Sequence, residues 1–386
     1  MLQISRNGVS KTQSVIIILL LVSFVLPSWY LSGTIDQLVS LSLYVITPEH
    51  FYLLSFIIAM LFSMTLGTSV GTLSAVGIPI ISTALAIELP LEIVAGALIS
   101  GAFVGDRTSP FSSAFQLLSH TVETPTKKQF KAMSVTTVIG VTIAILFYGI
   151  LDSKSTFTIT QVTPGLKEIS LLSFLPPLIL IAVVLFRKGI IYGFLLSIVA
   201  ASMLALTNDV TTQELFSSLL LGVEGKGGGL INMYLLLLFL ALAGAYNGIL
   251  EEFKLIQPLI DQWFDTSKNI VDDTIKTILA TFGISLIAAN QTLPIILTGR
   301  TLLTRWRKNH TQEELSRVMG DSTMLFPAMI PWSVLALMCS AVVGVPIISY
   351  LPYAIFIWSL PIFTIVVSFV KLLKNNKHNQ DIANAS

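Results

Sequence analysis

A Gly-Asp pair followed by hydroxyl residues occurs twice in this chain: Gly105-Asp106-Arg107-Thr108-Ser109-Pro110 and Gly320-Asp321-Ser322-Thr323. Asp106 and Asp321 both stand in apolar surroundings, where a carboxylate costs roughly 2.5–3.5 kcal/mol on insertion scales and marks a functional site by default. Glycine and proline interrupt the helix and free carbonyls, and the Thr108, Ser109, Ser112, Ser322 and Thr323 hydroxyls add further oxygens. Together with a carboxylate these make a cradle for a hard cation such as Na⁺, with Asp106 and Asp321 as the candidate sodium ligands. Half-helix N-termini at the same breaks would favour an anionic group instead. A structural role is the competing reading, in which Asp106 pairs with Arg107 or caps the half-helix that follows. The recurrence of the motif in two places favours a site.

Two more polar interruptions are candidates. Gly67, Thr68 and Ser69 lie in LGTSVGT, a pattern that also serves close helix packing. Asn290, Gln291 and Thr292 lie in AANQTLP. Arg300 could bind a substrate carboxylate or snorkel to headgroups as a topology anchor. Trp332 either walls the cavity or packs. The four histidines are scattered over expected loops and form no metal set, and the single cysteine, Cys339, excludes an intrachain disulfide and fits helix packing. No GxxxxGK[ST] phosphate loop, HExxH or Ser-His-Asp arrangement is present, which argues against ATP-driven transport and intramembrane hydrolysis by this chain. No cofactor is expected, and a net charge of +1 gives no reason to invoke nucleic acid.

The elements that position these residues must be membrane helices. Of 386 residues 54% are hydrophobic and 11% charged, with a mean hydropathy of +0.83, whereas soluble domains carry about a quarter charged residues. The fold class is all-α: a polytopic helical membrane protein. Simple crossings are expected at 14–31, 132–151, 169–186, 189–206, 229–250 and 346–370. The first is read as a retained helix with an interfacial anchor at Pro27-Ser28-Trp29-Tyr30, not as a signal peptide. Basic clusters at Arg6 and Lys11, at Lys127, Lys128 and Lys131, at Arg187 and Lys188, from Arg300 to Arg317, and at Lys371, Lys374 and Lys377 are placed inside. Both termini are then cytoplasmic. Residues 253–264 are expected to lie along the inner interface.

Residues 51–87 and 276–304 are each too long for one helix and are broken near the centre, so both are read as re-entrant hairpins. The order of crossing, broken hairpin, Gly-Asp crossing and crossing then appears twice, in opposite orientations. Inverted repeats with discontinuous helices are the architecture of secondary transporters, and broken backbone at membrane depth is tolerated only where it is buried or lines a cavity. The expected division is 1–151 for the first repeat, 152–228 for a connecting helical hairpin and loops, 229–371 for the second repeat and 372–386 for a cytoplasmic tail. The helix pair at 169–206 has no counterpart ahead of the first repeat: either that unit is shorter, or an N-terminal pair is missing.

The segments LGTSVGTLSAVGIPI, AGALISGAFVGDRTSPFSSAF, AANQTLPIILTGR, LSRVMGDSTMLFPAMIPWS and GVPIISYLPYAIF, in that order, resemble the NhaC-type sodium/proton antiporters of the ion transporter superfamily. The resemblance implies a carrier of the bacterial inner membrane that exchanges Na⁺ for H⁺, in a group whose relatives often form homodimers and include exchangers of malate and lactate or carriers of amino acids. It also implies acids at the positions of Ser113, Gly320 and Asn290, which this chain lacks. The expected function is sodium/proton antiport by alternating access, with protons and Na⁺ competing at Asp106 and Asp321. Ion-coupled carriage of a small carboxylate or amino acid is the alternative, and a non-transporting paralogue the third reading.

Overall fold

The computed structural model of the protein describes residues 2–45, 48–154, 170–186, 188–223, 228–253 and 269–385. Within these the chain is a succession of helices, as lipid demands, because a helix satisfies its own backbone groups where no water is available. In order they are α1 (Leu2–Leu31), α2 (Thr34–Val45), α3 (Phe51–Leu66), α4 (Ser69–Ala86), α5 (Leu91–Thr108), α6 (Ser113–Thr121), α7 (Thr126–Lys154), α8 (Leu175–Leu185) and α9 (Ile190–Thr207). There follow α10 (Thr212–Leu221), α11 (Leu230–Phe253), α12 (Ile270–Ala288), α13 (Thr292–Asn309), α14 (Gln312–Asp321), α15 (Val334–Val343), α16 (Ile347–Tyr350) and α17 (Ile355–Ala385). Four helices among the described residues are long and apolar enough to cross a bilayer, and up to six if each of two sharply bent pairs counts as one span.

Helix directions follow from contacts at named positions. Helices α3 and α5 run parallel, since Gly101 faces Phe56 and Ala59 while Gly105 faces Ser63. The chain between them, α4, must therefore return to the end from which α3 set out. That end is also the C-terminal end of α7, because Asp152 accepts the Tyr52 and Leu53 amides at 3.0 Å each, and the Tyr148 hydroxyl lies within hydrogen-bonding distance of Gly96 O, Ser100 Oγ and Tyr353 O. The second unit is anchored at the opposite end of α7. There Arg307 pairs with Glu123, Lys371 pairs with Glu314, and Lys128 lies 3.5 Å from Glu313. The base of the α12–α13 hairpin is closed at this same end by His310 Nε2 and Asp273, 2.8 Å apart. Each hairpin thus enters and leaves on its own side, from opposite ends of α7. Three basic clusters assigned to one side of the membrane meet at one end of the bundle.

The two breaks are built alike. Gly67 at φ +68° and Ala289 at φ +49° both adopt the left-handed conformation, and their amides bond back to the carbonyls of Ser63 and Ser285. The next residue caps the helix that follows: Thr68 Oγ1 accepts the Gly71 amide at 3.4 Å and Asn290 Oδ1 accepts the Leu293 amide at 2.8 Å. Gly67 is required twice over, since a Cβ there would lie 2.5 Å from the Phe111 carbonyl carbon.

Glycine also sets the spacing of α3 and α5. A Cβ on Gly105 would sit 2.0 Å from the Ser63 carbonyl carbon, a backbone atom that cannot swing aside, and Gly105 N donates to Ser63 Oγ at 2.7 Å. Small residues let membrane helices approach this closely. A Gly105→Leu substitution is expected to abolish the folded protein, read as loss of the monodisperse peak in detergent gel filtration, with Gly283→Leu, where the added atom meets nothing within 4 Å, leaving that peak in place.

Several boundaries differ from the sequence expectation. The last crossing begins at Ile355, because Pro346 and Pro352 break the run, and α15 with the segment Ile347–Tyr353 forms a pair bent by 83°. Trp29 is buried, not an interfacial anchor: α1 packs between α9 and α11, and Trp29 Nε1 donates to Ser197 Oγ at 3.0 Å. The loop expected at 207–228 contains α10. Residues 155–168 and 254–264, for which a loop and an interfacial helix were expected, lie outside the described residues.

Candidate functional site

The C-terminal turn of α5 carries two adjacent charges that face different neighbours. Asp106 turns toward the breaks. Its Oδ2 accepts from Gln291 Nε2 at 3.3 Å, and the Ser69 amide and the Ser112 hydroxyl face the same carboxylate. Ser69 opens α4 just beyond the first break and Gln291 opens α13 just beyond the second, so the carboxylate sits where the two tips meet. Gln291 is held there by a second bond, Nε2 to Met324 O at 2.8 Å, from the stretch that follows the second Gly-Asp pair. The side chain of Asp106 is surrounded by neutral donors alone among the partners described.

Arg107 turns the other way, across to the second unit. Its Nη2 pairs with Asp321 Oδ1, and Nε donates to Gly320 O at 3.1 Å. The guanidinium is completed by two hydroxyls of α7, Thr136 at 2.9 Å and Thr137 at 2.5 Å. Asp321 Oδ1 also accepts from Thr136 at 3.1 Å. Both charges are fully buried, and five guanidinium donors in a fixed fork suit such a bridge better than an ammonium would. The alternative in which Arg107 neutralises its neighbour Asp106 is thus replaced by a bridge between the two Gly-Asp motifs.

The other candidates are distributed as follows. Thr108 bonds to Val104 O within its own helix at 2.5 Å, and Ser322 likewise to Val318 O at 2.6 Å. Ser109 donates to Met64 O at 2.8 Å and so ties the unwound stretch 109–112 to the end of α3. Ser112 caps α6 through the Phe115 amide at 3.2 Å while facing Asp106. Thr323 accepts from Thr281 at 2.9 Å, on the α12 side. Thr68 and Asn290 are engaged as helix caps. Thr292 is exposed, as is Arg300, about 12 Å further along α13 at 1.5 Å per residue. Trp332 bonds to Leu286 O at 2.8 Å and remains 47% exposed.

Arg317 was not singled out by sequence. It is buried on α14, one turn before Asp321, and bonds to Thr364 O at 2.9 Å, Thr364 Oγ1 at 2.5 Å and Ser368 Oγ at 2.8 Å on α17. Its spacing of four from Asp321 is the signal that could have found it, because residues i and i+4 share a helix face. Among the described residues, no group of three or more His, Cys, Asp or Glu side chains could hold a metal ion, so any cation here would rely on one carboxylate with hydroxyls, carbonyls and the Gln291 amide.

Comparison with known proteins gives the arrangement a family. The chain is 28% identical to the Na⁺/H⁺ antiporter NhaC of Bacillus subtilis, over 95% of this chain and 85% of that protein. It is 26% identical to the Na⁺/H⁺ antiporter NhaC of Alkalihalophilus pseudofirmus, over 92% of this chain and 81% of that one. A malate-2H⁺/Na⁺-lactate antiporter of Bacillus subtilis is 24% identical over 90% of this chain and 79% of its own length. The sequence model of the Na⁺/H⁺ antiporter family matches residues 101–372, a span that holds both Gly-Asp motifs, the second break and both buried arginines. This polytopic membrane protein belongs to the Na⁺/H⁺ antiporter family.

Proposed function

We infer that the protein exchanges Na⁺ for H⁺ across the bacterial inner membrane by alternating access, with Asp106 as the group that holds either cation and with both termini in the cytoplasm. The observation that carries this reading is the setting of Asp106: buried where both helix breaks meet, with neutral donors around it and, among the described residues, no cationic side chain against it. A buried carboxylate in that setting is an uncompensated charge, and one Na⁺ or one proton compensates it. Loading with either cation lowers the cost of moving the site through a low-dielectric barrier, whereas the empty, charged site is held back. Ser69, Ser112 and Gln291 line the carboxylate; Gly67, Thr68 and Asn290 shape the tips. The antiporters named above support the choice of ions.

A carrier of a small carboxylate or amino acid would need donors that meet a substrate carboxylate, from half-helix N-termini or from a cationic side chain at the breaks. Arg107 is engaged by Asp321, and Arg300 is exposed, so the geometry favours a cation.

Competition at one acid has a direct signature. Adding Na⁺ to the purified protein in weakly buffered detergent solution is expected to release protons in a saturable way, with choline giving none. Na⁺ binding seen calorimetrically without proton release would contradict the reading.

A further inference from the structure

Asp106 is buried, yet the residues beside two of its partners are exposed. Ser112, whose hydroxyl faces the carboxylate, is followed by exposed Ser113, and Gln291, whose amide holds it, is followed by exposed Thr292. From these two points α6 and α13 set out in the same direction, toward the end of the bundle where Glu123 pairs with Arg307 and Glu313 meets Lys128. The two helices touch at matching depth, about two turns along each, since a Cβ added to Gly299 would press on the methyl group of Thr121.

Each of these helices exposes a polar stripe: Ser113, Gln116 and His120 on α6, and Thr292, Arg300 and Thr304 on α13. Spacings close to whole turns keep each set on one face. Counted at about 100° per residue from the contact of Gly299 with Thr121, both stripes turn to the same side of the pair. From Thr292 to Thr304 the face extends about 18 Å, enough to lead from the middle of a hydrocarbon core to its edge. Neighbouring outward faces are apolar: Ile275, Leu279, Phe282 and Ile287 on α12, and Val135 and Val138 on α7. Those suit lipid. Arg300 could snorkel to headgroups, but the short side chains of Ser113 and Gln116 cannot, and Gln116 is tied by its amide to Pro110 O at 2.8 Å, on the unwound stretch beside Asp106. Polar groups held at that level in hydrocarbon are costly, so this face needs water.

Toward the opposite end the packing is closed. Helix α4, which follows the first break, is buried or half-buried at every residue from Ser69 to Ala84, and α15, packed against it, at every residue from Val334 to Val343. We propose that the shared polar face of α6 and α13 is the water-filled path by which cations reach Asp106 from the cytoplasmic end, and that the structure is the inward-facing state, closed on the other side by α4 and α15. This rests on the reading of Asp106 as the carrying group.

The test uses the full chain carrying Ser113→Cys at the inner end of the path, Thr304→Cys at its outer end, or Leu279→Cys on the apolar face of α12. Inverted and right-side-out membrane vesicles are treated with the membrane-impermeant cation trimethylammonium-ethyl methanethiosulfonate. Cys339 is buried, and the unsubstituted chain supplies the blank. Only variants that keep the monodisperse gel-filtration peak are scored, with Gln116→Cys taking the place of Ser113→Cys if that variant loses it. In inverted vesicles the two path cysteines are expected to react about tenfold or more faster than Leu279→Cys, because the reactive thiolate forms in water and is suppressed in apolar surroundings. In right-side-out vesicles they are expected to lose that advantage, and full modification of Ser113→Cys is expected to block Na⁺-driven proton movement. Reaction of Thr304→Cys alone would reduce the face to a shallow vestibule and overturn the proposal. Reaction of neither, as lipid or a covering protein would give, overturns it too, as does faster reaction of Ser113→Cys in right-side-out vesicles or proton movement that survives its full modification. Both path cysteines reactive from inside, in protein that moves no protons with Na⁺ even before modification, would leave the path standing and remove Na⁺/H⁺ exchange instead.

Discussion

Replacing Arg107 by methionine is expected to cost about 3–5 kcal/mol of stability, because it leaves Asp321 buried without the guanidinium that pairs with it directly. The loss has a specific origin in packing. Arg107 is fully buried at the junction of α5, α7 and α14, and its removal takes the guanidinium donors from Asp321 and the Gly320 carbonyl, while Thr136 and Thr137 keep their bonds to Met133 O. The measurement is thermal stability in detergent, by the fluorescence of a thiol-reactive dye on the buried Cys339. The informative control is the double variant Arg107→Met with Asp321→Leu. Buried ion pairs are often replaceable by apolar residues at little net cost, so the double variant is expected to recover most of what the single variant loses. Two losses that simply add would show that the bridge is not the dominant interaction of either residue.

The second large effect is on transport and leaves the fold alone. Asp106→Asn keeps the shape of the side chain and an oxygen that can accept from Gln291, the Ser69 amide and Ser112, so the tips of the two hairpins stay docked. What the variant loses is the ability to be charged when empty and neutral when loaded. Na⁺-driven proton movement is expected to fall to the level of protein-free vesicles, while thermal stability is unchanged or raised, since a buried uncompensated charge has been removed. A variant that unfolds would assign Asp106 a structural role.

Much of this site was legible in the sequence for identifiable reasons. Asp106 and Asp321 stood out because carboxylates are rare in apolar runs, and Gly67 marked a break because glycine inside such a run enters the left-handed region without strain. The second break carried a weaker signal, since the residue that takes the left-handed conformation is Ala289, and only the polar pair Asn290 and Gln291 with Pro294 indicated it. Three of the basic clusters grouped by sequence meet at one end of the bundle, in ion pairs with Glu123, Glu313 and Glu314.

Other features depend on contacts that a linear reading does not contain. The partner of Arg107 is 214 residues away, and the nearest acid in sequence, Asp106, is the wrong one. Adjacent residues near the end of a helix point in directions about 100° apart, so neighbouring charges need not meet. Trp29 suggested an interface anchor by type, yet Ser197 from a distant helix supplies its hydrogen-bond acceptor in the interior. The late start of α17 had a usable signal in Pro346 and Pro352, because proline ends a helix before it.

We propose that Na⁺ and H⁺ exchange at Asp106. The most direct measurement imposes a proton gradient, acid inside, on proteoliposomes containing the purified protein and a pH-sensitive dye, and then adds Na⁺ outside. The account predicts alkalinisation of the lumen by the wild-type protein and none by Asp106→Asn of equal stability and incorporation. Equal alkalinisation by both would contradict it, and would move the carrying group away from the meeting point of the two helix breaks.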